Sequence, residues 1–317
     1  MDQATAKKLL IEGGTFVFLG VPEETQFGID MQCWNTEEDF RGIKMIPPGL
    51  HYIHYAAVSK STADISPRSG FMHFFEQKEF LVKIWNKDKE DISKDEVSDE
   101  SIQTLKDNLL NLDRHLAPYP YEIWQKWRLL SSQITRTAMR FTKFPKEKYP
   151  PGSSPEEITK HYLDQSYTLE LMISQHDEPL HIVGELQFAY LCFLIGHSLE
   201  AFEHWKDLVI LMCSCDSAIN KYRSVYVQFI HTIETQIEEM PEEFLADIVM
   251  NKNVVYKKLR EFFRIAHASK VDGRLLALID RFKTNLTEKL QWDFTGLDKD
   301  EDDERPVIVN IDEAELE

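Results

Sequence analysis

The sequence predicts an α+β protein, strands first and helices second, closing in an acidic tail. Three observations carry that expectation. Apolar residues alternate with period two before residue 98, they recur at helical spacing after it, and ten of the 54 acidic residues fall between Gly296 and Glu317. With 317 residues the chain has room for two ordinary domains, because single cores stop growing at roughly 250–300 residues. The expected division is a β-rich domain over 1–97, helices closing it over 98–138, a linker over 139–153, a helical domain over 154–295 and the tail over 296–317.

The first element, Gln3 to Glu12, reads as a short helix ended by Gly13-Gly14, where a residue can adopt φ > 0 without penalty. "TFVFLG" follows as a strand broken at Val21-Pro22. "GLHYIHYA" sets Leu50, Tyr52 and His54 against His51, Ile53 and Tyr55, the alternation of a strand. "GFMHFFEQKEFLVKIW" holds two strands around Glu76 to Glu79, the second with Phe80, Val82 and Ile84 opposite Lys83. Short strands with Gly and Pro punctuation predict a sandwich-like or barrel-like module.

Ile102, Leu105, Leu109, Leu112 and Leu116 then fall on one helical stripe, with Ser98 as N-cap. "YEIWQKWRLLSSQI" gives a further helix after Pro118 and Pro120, and "FTKFPKEKYPPGSSPEE" reads as the linker. The helical half opens on Ser154 as N-cap, Pro155 in the first turn and Glu157 closing a capping box. Helical segments continue to about Leu290, including "PEEFLADIVM", and antiparallel pairs with short connections are the expected packing.

The net charge is −18, from 36 Lys and Arg against 54 Asp and Glu. Nucleic-acid affinity rests on basic groups neutralising phosphates, so proteins or small molecules are the better partners. Four cysteines in a chain this long make no disulfide framework, and "MDQATAKKLLIEGG" is too short and polar for a secretory signal. The apolar run "LQFAYLCFLIG" is about half of the roughly 20 residues a membrane span needs. A reducing compartment, cytoplasmic and nuclear, is expected.

Signatures of chemistry are scarce: no G-x-S-x-G elbow, no phosphate loop ending in Gly-Lys-Ser/Thr and no H-E-x-x-H helix. Cys213 and Cys215 lack a second Cys/His pair and read as buried thiols. His51 and His54 face opposite sides of a strand, and His197 and His204 share a face only on one unbroken helix, so all read as surface or capping groups. Glu185 in an apolar helix reads as a paired structural carboxylate, and Trp124 with Trp127 and Phe202 with Trp205 read as core packing. No enzyme, cofactor or metal is expected.

The tail carries the positive signal. Pro306 favours extended geometry, and Val307, Ile308, Val309 and Ile311, with Asn310 between them, have strong β-propensity inside an acidic stretch. Such a segment adds itself to the sheet edge of another protein or folds back as an edge strand on its own β-module. The residues alone leave the two close to even.

"FGIDMQCWNTEEDFRGIKMIPPGLHYIHY" (Phe27 to Tyr55), "APYPY" (Ala117 to Tyr121), "GELQFAYLCFLIGHSLEAFEHWKDLV" (Gly184 to Val209) and "QWDF" (Gln291 to Phe294) together closely resemble the Aar-two (A-one cistron) splicing factors, in the same order along the chain. The resemblance implies a β-sandwich-like N-terminal domain and a VHS-like helical domain. It further implies a non-enzymatic assembly factor of the U5 small nuclear ribonucleoprotein. The implied partner is Prp-eight, bound through its RNase H-like and Jab/MPN-like domains so as to hold off the helicase Brr-two. It also tips Pro306–Ile311 towards pairing with the partner's sheet. A trafficking adaptor that binds peptides with its VHS-like half is the alternative. Relatives commonly carry a longer polar connection where this chain has "MRFTKFPKEKYPPG", and Ser66, Ser93 and Ser154 are phosphorylation candidates by local context only.

Overall fold

The computed structural model describes residues 2–59, 64–241 and 254–297. They form two compact units, Met1–Thr142 with Leu180–Trp205, and Lys143–Pro179 with Lys206 onward.

The first unit holds nine strands: β1 (Gly14–Leu19), β2 (Gln26–Ile29), β3 (Gln32–Asn35), β4 (Gly42–Ile46), β5 (Gly49–Ala56), β6 (Ser69–Phe75), β7 (Phe80–Asn86), β8 (Asp91–Ile92) and β9 (Leu116–Pro118). They make a five-stranded sheet, β8-β7-β1-β4-β9, and a four-stranded sheet, β3-β2-β5-β6. The first is mixed, with β7 parallel to β1 and β9 parallel to β4. Phe16, Phe18, Ile43 and Trp85 of one sheet share a core with Phe27, Ile29, Ile53 and Tyr55 of the other, so the sheets pack face to face. The rings meet tilted or edge-on, as Phe18 does with Trp85 at 5.8 Å and 72°. The α+β expectation and the two-sheet module are both present.

Both sheets are covered on their outer faces as well. Val17, Val82 and Leu116 carry Ile102 and Leu105 of α2 (Asp99–Asp107), with Leu112 just beyond it. On the other sheet, Trp127 of α4 (Trp124–Ser131) is wholly buried and donates its indole N–H to Leu50 O at 2.6 Å. The alternation in β5 therefore separates two buried faces, and every residue of that strand but Gly49 is buried.

Several expectations are corrected. Helix α1 (Gln3–Glu12) forms as read, but Gly13 has φ −67° and needs no left-handed backbone. A Cβ there would sit 2.4 Å from Leu9 O and 2.9 Å from Met45 Cα, so close approach is what requires glycine. The leucine stripe does not run as one helix to Leu116. Helix α2 stops at Asp107, α3 (Leu109–Leu112) and a 3-10 turn follow, and Leu116 opens β9 opposite Gly42. Pro118 and Pro120 disfavour helical backbone in the residues before them, which leaves this stretch extended.

The histidines of β5 are interior, not surface groups: His51 is 0% and His54 2% exposed. They gather at Asp30, itself fully buried with φ 54° in the two-residue turn between β2 and β3. Asp30 Oδ2 lies 2.7 Å from His51 Nδ1 and accepts from Tyr119 Oη at 2.6 Å, while Oδ1 accepts from Tyr52 N at 2.9 Å. His51 Nε2 lies 2.7 Å from Pro47 O and His54 Nε2 3.1 Å from Asp30 O.

In the helical half, α5 (Pro155–Leu163) carries the expected capping box, Ser154 Oγ accepting from Glu157 N and Glu157 Oε2 from Ser154 N. The further helices are α6 (Ser166–Ile173), α7 (His181–Leu194), α8 (Leu199–Cys213), α9 (Ser217–Lys221), α10 (Arg223–Glu238), α11 (Val254–Ala268) and α12 (Gly273–Leu290). Most of "PEEFLADIVM" lies outside the described residues. In the second unit, Tyr226 and Phe229 of α10 pack on Phe262 of α11, and Phe263 meets Phe282 of α12 edge-on. Residues 180–205, which the sequence division places within 154–295, cluster with the first unit. Gln187 of α7 explains this, accepting from Gln133 N at 2.7 Å and donating to Leu129 O at 3.1 Å.

Replacing Asp30 with Ala strands His51 and Tyr119 in the interior and is expected to destabilise the protein by about 3–5 kcal/mol, read from urea unfolding. His54 supplies a pH test. Burial first, then the Arg68 charge, pushes its pKa down to about 3. The unfolded chain binds that proton at about 6.5, so stability is lost as pH falls from about 6.5 towards 3. His54→Gln is expected to flatten that slope by up to about 1.4 kcal/mol per pH unit.

Candidate partner-binding site at the root of the tail

The candidate residues Pro306, Val307, Ile308, Val309, Asn310 and Ile311 lie outside the described residues. What the structure does describe is how the chain leading to them is fastened. Helix α12 ends at Leu290, and Gln291 adopts the left-handed conformation, φ 57°, with its N–H bonded to Thr287 O at 3.1 Å. That cap turns the chain out of the helix. Trp292 and Phe294 then alternate with Asp293 and Thr295, the first pair buried and the second exposed.

The aromatic pair packs on α11. Trp292 and Phe294 lie 5.6 and 5.4 Å from the Tyr256 ring, and Phe294 meets Phe263 edge-on at 4.9 Å. One helical turn beyond Tyr256, Arg260 takes the backbone. Its Nη1 donates to Asp293 O at 2.8 Å, and its Nη2 donates to Thr295 O and Gly296 O at 3.2 and 3.3 Å. Tyr256 Oη also donates to Asp293 O. The Asp293 carboxylate accepts from Thr295 N at 2.8 Å. Its bonds from Thr295, with Arg260 adding, hold it below the usual carboxylate range. "QWDF" is thus an anchor: two rings for burial, one guanidinium for three carbonyls. Sequence reasoning missed Tyr256 and Arg260, although their four-residue spacing places them on one face of a basic helix.

The other candidates are structural. Glu185 is fully buried and paired: Thr142 donates to it through N at 2.6 Å and Oγ1 at 2.7 Å, and His204 Nε2 lies 2.6 Å from Oε1. His204, read as a surface or capping group, is stacked on Phe141 at 4.8 Å instead. His197 sits at φ 56° in the turn between α7 and α8, so no single helix carries it with His204. Cys213 and Cys215 are buried free thiols, and burial raises both above the ordinary range. Trp124 stacks on His51 and Trp205 on Phe202, which is packing. Among the described residues, no group of three or more His, Cys, Asp or Glu is placed to hold a metal ion.

Comparison with known proteins gives the anchor and the sandwich a common setting. The model of the AAR2 N-terminal domain matches residues 12–143, and that of the AAR2 C-terminal repeat region matches residues 141–295. The chain belongs to the AAR2 family. It is 33% identical to the mouse protein AAR2 homolog, across 99% of this chain and 98% of that relative. Identity to the Caenorhabditis elegans AAR2 homolog is 29%, over 89% and 95% of the two chains. To the A1 cistron-splicing factor AAR2 of Saccharomyces cerevisiae it is 24%, over 76% and 81%. The mouse alignment runs over 378 positions, more than this chain's 317 residues, so that AAR2 relative carries residues absent here. The AAR2 C-terminal match ends at Phe294–Thr295, where Arg260 holds the backbone.

Arg260→Gln removes the charged donors from three carbonyls. At about 1.5–3 kcal/mol for charge-assisted bonds, amide exchange at Thr295 and Gly296 is expected to quicken about ten- to hundredfold, read by mass spectrometry. Unchanged exchange there would show that the two rings alone hold the segment.

Proposed function

We propose that this chain is a non-enzymatic assembly factor of the U5 small nuclear ribonucleoprotein in pre-mRNA splicing. It binds Prp-eight through the RNase H-like and Jab/MPN-like domains, keeps Brr-two from the particle, and works in the cytoplasm and nucleus. Membership of the AAR2 family over almost the whole chain carries this reading, together with the yeast relative's name as an A1 cistron-splicing factor. The paired state of Glu185 and the burial of Cys213 and Cys215 fit a binding role, since these groups are engaged in holding the fold.

The mechanism proposed for the tail is strand addition. Pro306 sets the backbone extended, and Val307, Val309 and Ile311 project to one face while Ile308 and Asn310 project to the other. Backbone pairing to a partner edge supplies affinity, and the alternating side chains fix the register. The anchored segment Trp292–Gly296 gives this strand a fixed point of departure.

Binding to the two Prp-eight fragments, measured by calorimetry, is the test. The full chain is expected to bind, and a chain ending at Leu297 to bind at least about tenfold more weakly, the equivalent of about 1.4 kcal/mol. Val309→Pro removes a ladder donor in mid-strand and is expected to weaken binding by a similar factor with the melting temperature unchanged. No binding by the full chain sinks the proposal, whereas equal binding by the truncated chain removes only the strand mechanism.

A further inference from the structure

A sheet edge without a neighbour exposes a row of backbone donors and acceptors, and proteins blunt such edges with short strands, proline or charge. Three of the four sheet edges among the described residues follow that rule. Strand β8 has two residues, one of them Asp91, β9 has three and ends in Pro118, and β3 has four. The fourth edge does not. Strand β6 runs seven residues, Ser69–Phe75, with no proline and no Asp, Glu, Lys or Arg. We infer that β6 pairs antiparallel with β6 of a second copy of this chain, Met72 facing Met72 on the two-fold axis.

The ladder of the sheet shows which backbone groups are available. Asp30 N donates to Tyr52 O at 2.7 Å, and Tyr52 N donates to Asp30 Oδ1 at 2.9 Å, so the even-numbered residues of β5 turn their backbone towards β2. The odd-numbered His51 and Ile53 therefore serve β6, opposite His73 and Phe71. That leaves the N–H and C=O of Gly70, Met72 and Phe74 on the outer side, where they have no partner among the described residues. Ser69 and Gly70 are exposed and Phe71 to Phe74 half-buried, so the edge is open to a second strand. The three outward residues are evenly spaced about Met72. A two-fold axis there matches every donor with an acceptor, making about six hydrogen bonds.

Side-chain chemistry selects a second copy as the occupant. The same axis sets Phe74 of each copy against Gly70 of the other, a ring beside a residue with no side chain. Gly70 is held to glycine by its own sheet, since a Cβ would lie 2.6 Å from Ile53 O and 2.8 Å from the Tyr52 ring. One step beyond each end of the strand, the axis sets Glu76 against Arg68, and both side chains fall on the face that carries Met72. Glu76 is exposed, and its carboxylate has no partner among the described residues. Arg68 donates to Ile195 O at 2.9 Å and to Gln26 Oε1 at 3.0 Å, both neutral oxygens. Two acids therefore meet two guanidinium groups that lack a carboxylate, and no like charges are opposed along the strand. A slip of one residue loses the hydrogen bonds and the charge match together.

A single strand pair buries little area, so the association is weak, with a dissociation constant of about 10–100 µM. It does not rest on the function proposed above. The test is sedimentation equilibrium of the full chain at about 150 mM salt, where charge effects fade beyond about 8 Å. The mass is expected to rise from one chain towards two as concentration passes through that range. Met72→Pro removes an outward N–H and leaves the ladder to β5 its donors, and Met72→Lys sets two ammonium groups together on the axis. Each is expected to weaken the dimer at least tenfold with the melting temperature unchanged. Glu76→Arg, an exposed change, is expected to weaken it at least threefold.

A cross-link reads the register. In a chain whose exposed Cys33 is replaced by Ser, Met72→Cys brings two thiols together with Cα atoms about 5.5 Å apart, within disulfide reach. Oxidised glutathione is expected to join them at least tenfold more than in Ser69→Cys, where the two positions lie about 20 Å apart. A full chain that stays monomeric at about 300 µM, well above the expected constant, overturns the inference. So does a dimer indifferent to both Met72 variants, or equal joining at the two cysteine positions. A full chain that stays monomeric while one ending at Leu297 dimerises also overturns it, because another occupant then holds the edge. No Prp-eight fragment is present, so this result and the binding result stand or fall separately.

Discussion

The N-terminal unit is organised round one buried carboxylate. Asp30 is fully enclosed, and a charge in that position is tolerable only with a complete set of donors. The set comes from three places in the chain: Tyr52 N in the adjacent strand, His51 beside it, and Tyr119 after β9. Both ring nitrogens of His51 face oxygen, on Asp30 and on Pro47, so the imidazole is held at both ends. Asp30 holds its turn at positive φ, where aspartate is among the tolerated residues. The turn, the central strand β5 and the segment bearing Tyr119 are thereby fixed to one another.

A smaller version of the same device operates at Glu185. This carboxylate, on an otherwise apolar stretch of α7, takes the backbone and hydroxyl of Thr142 and the imidazole of His204. It fastens Thr142, in the irregular segment after Ala138, to α7. In both places the unit uses a buried acid where the backbone is irregular, because an irregular segment has orphan donors that neither sheet nor helix satisfies.

This explains which parts of the structure were legible in the sequence. Helix α1, strands β5, β6 and β7 and the Ser154 capping box were readable, since each is set by residues adjacent along the chain. Strands β2, β3, β4 and β9 were not, being three to five residues long with glycine at Gly28 and Gly42. Gly28 is glycine because a Cβ would meet the His54 ring at 2.1 Å, a reason that exists only once β5 is alongside. Asp30 and Tyr119 lie 89 residues apart, and no local pattern joins them. At the candidate site, "QWDF" was visible as a motif, but its use as an anchor depends on Arg260, 33 residues before Asp293. The strand-forming residues themselves lie outside what the structure describes.

The anchor also limits what the tail can reach. Arg260 fixes Gly296, and Pro306 lies ten residues further on. At no more than about 3.3–3.6 Å per residue, that connection spans at most about 36 Å. Any sheet edge that takes Val307–Ile311 must therefore come within that distance of the N-terminal half of α11. A partner met only by a freely roaming tail would gain nothing from two buried rings and a guanidinium spent on fastening the root. A fixed root instead raises the local concentration of the strand near one surface and lowers the entropy lost when it pairs. On the strand-addition mechanism proposed above, the burial of Trp292 and Phe294 would tie the position of the partner to the C-terminal unit.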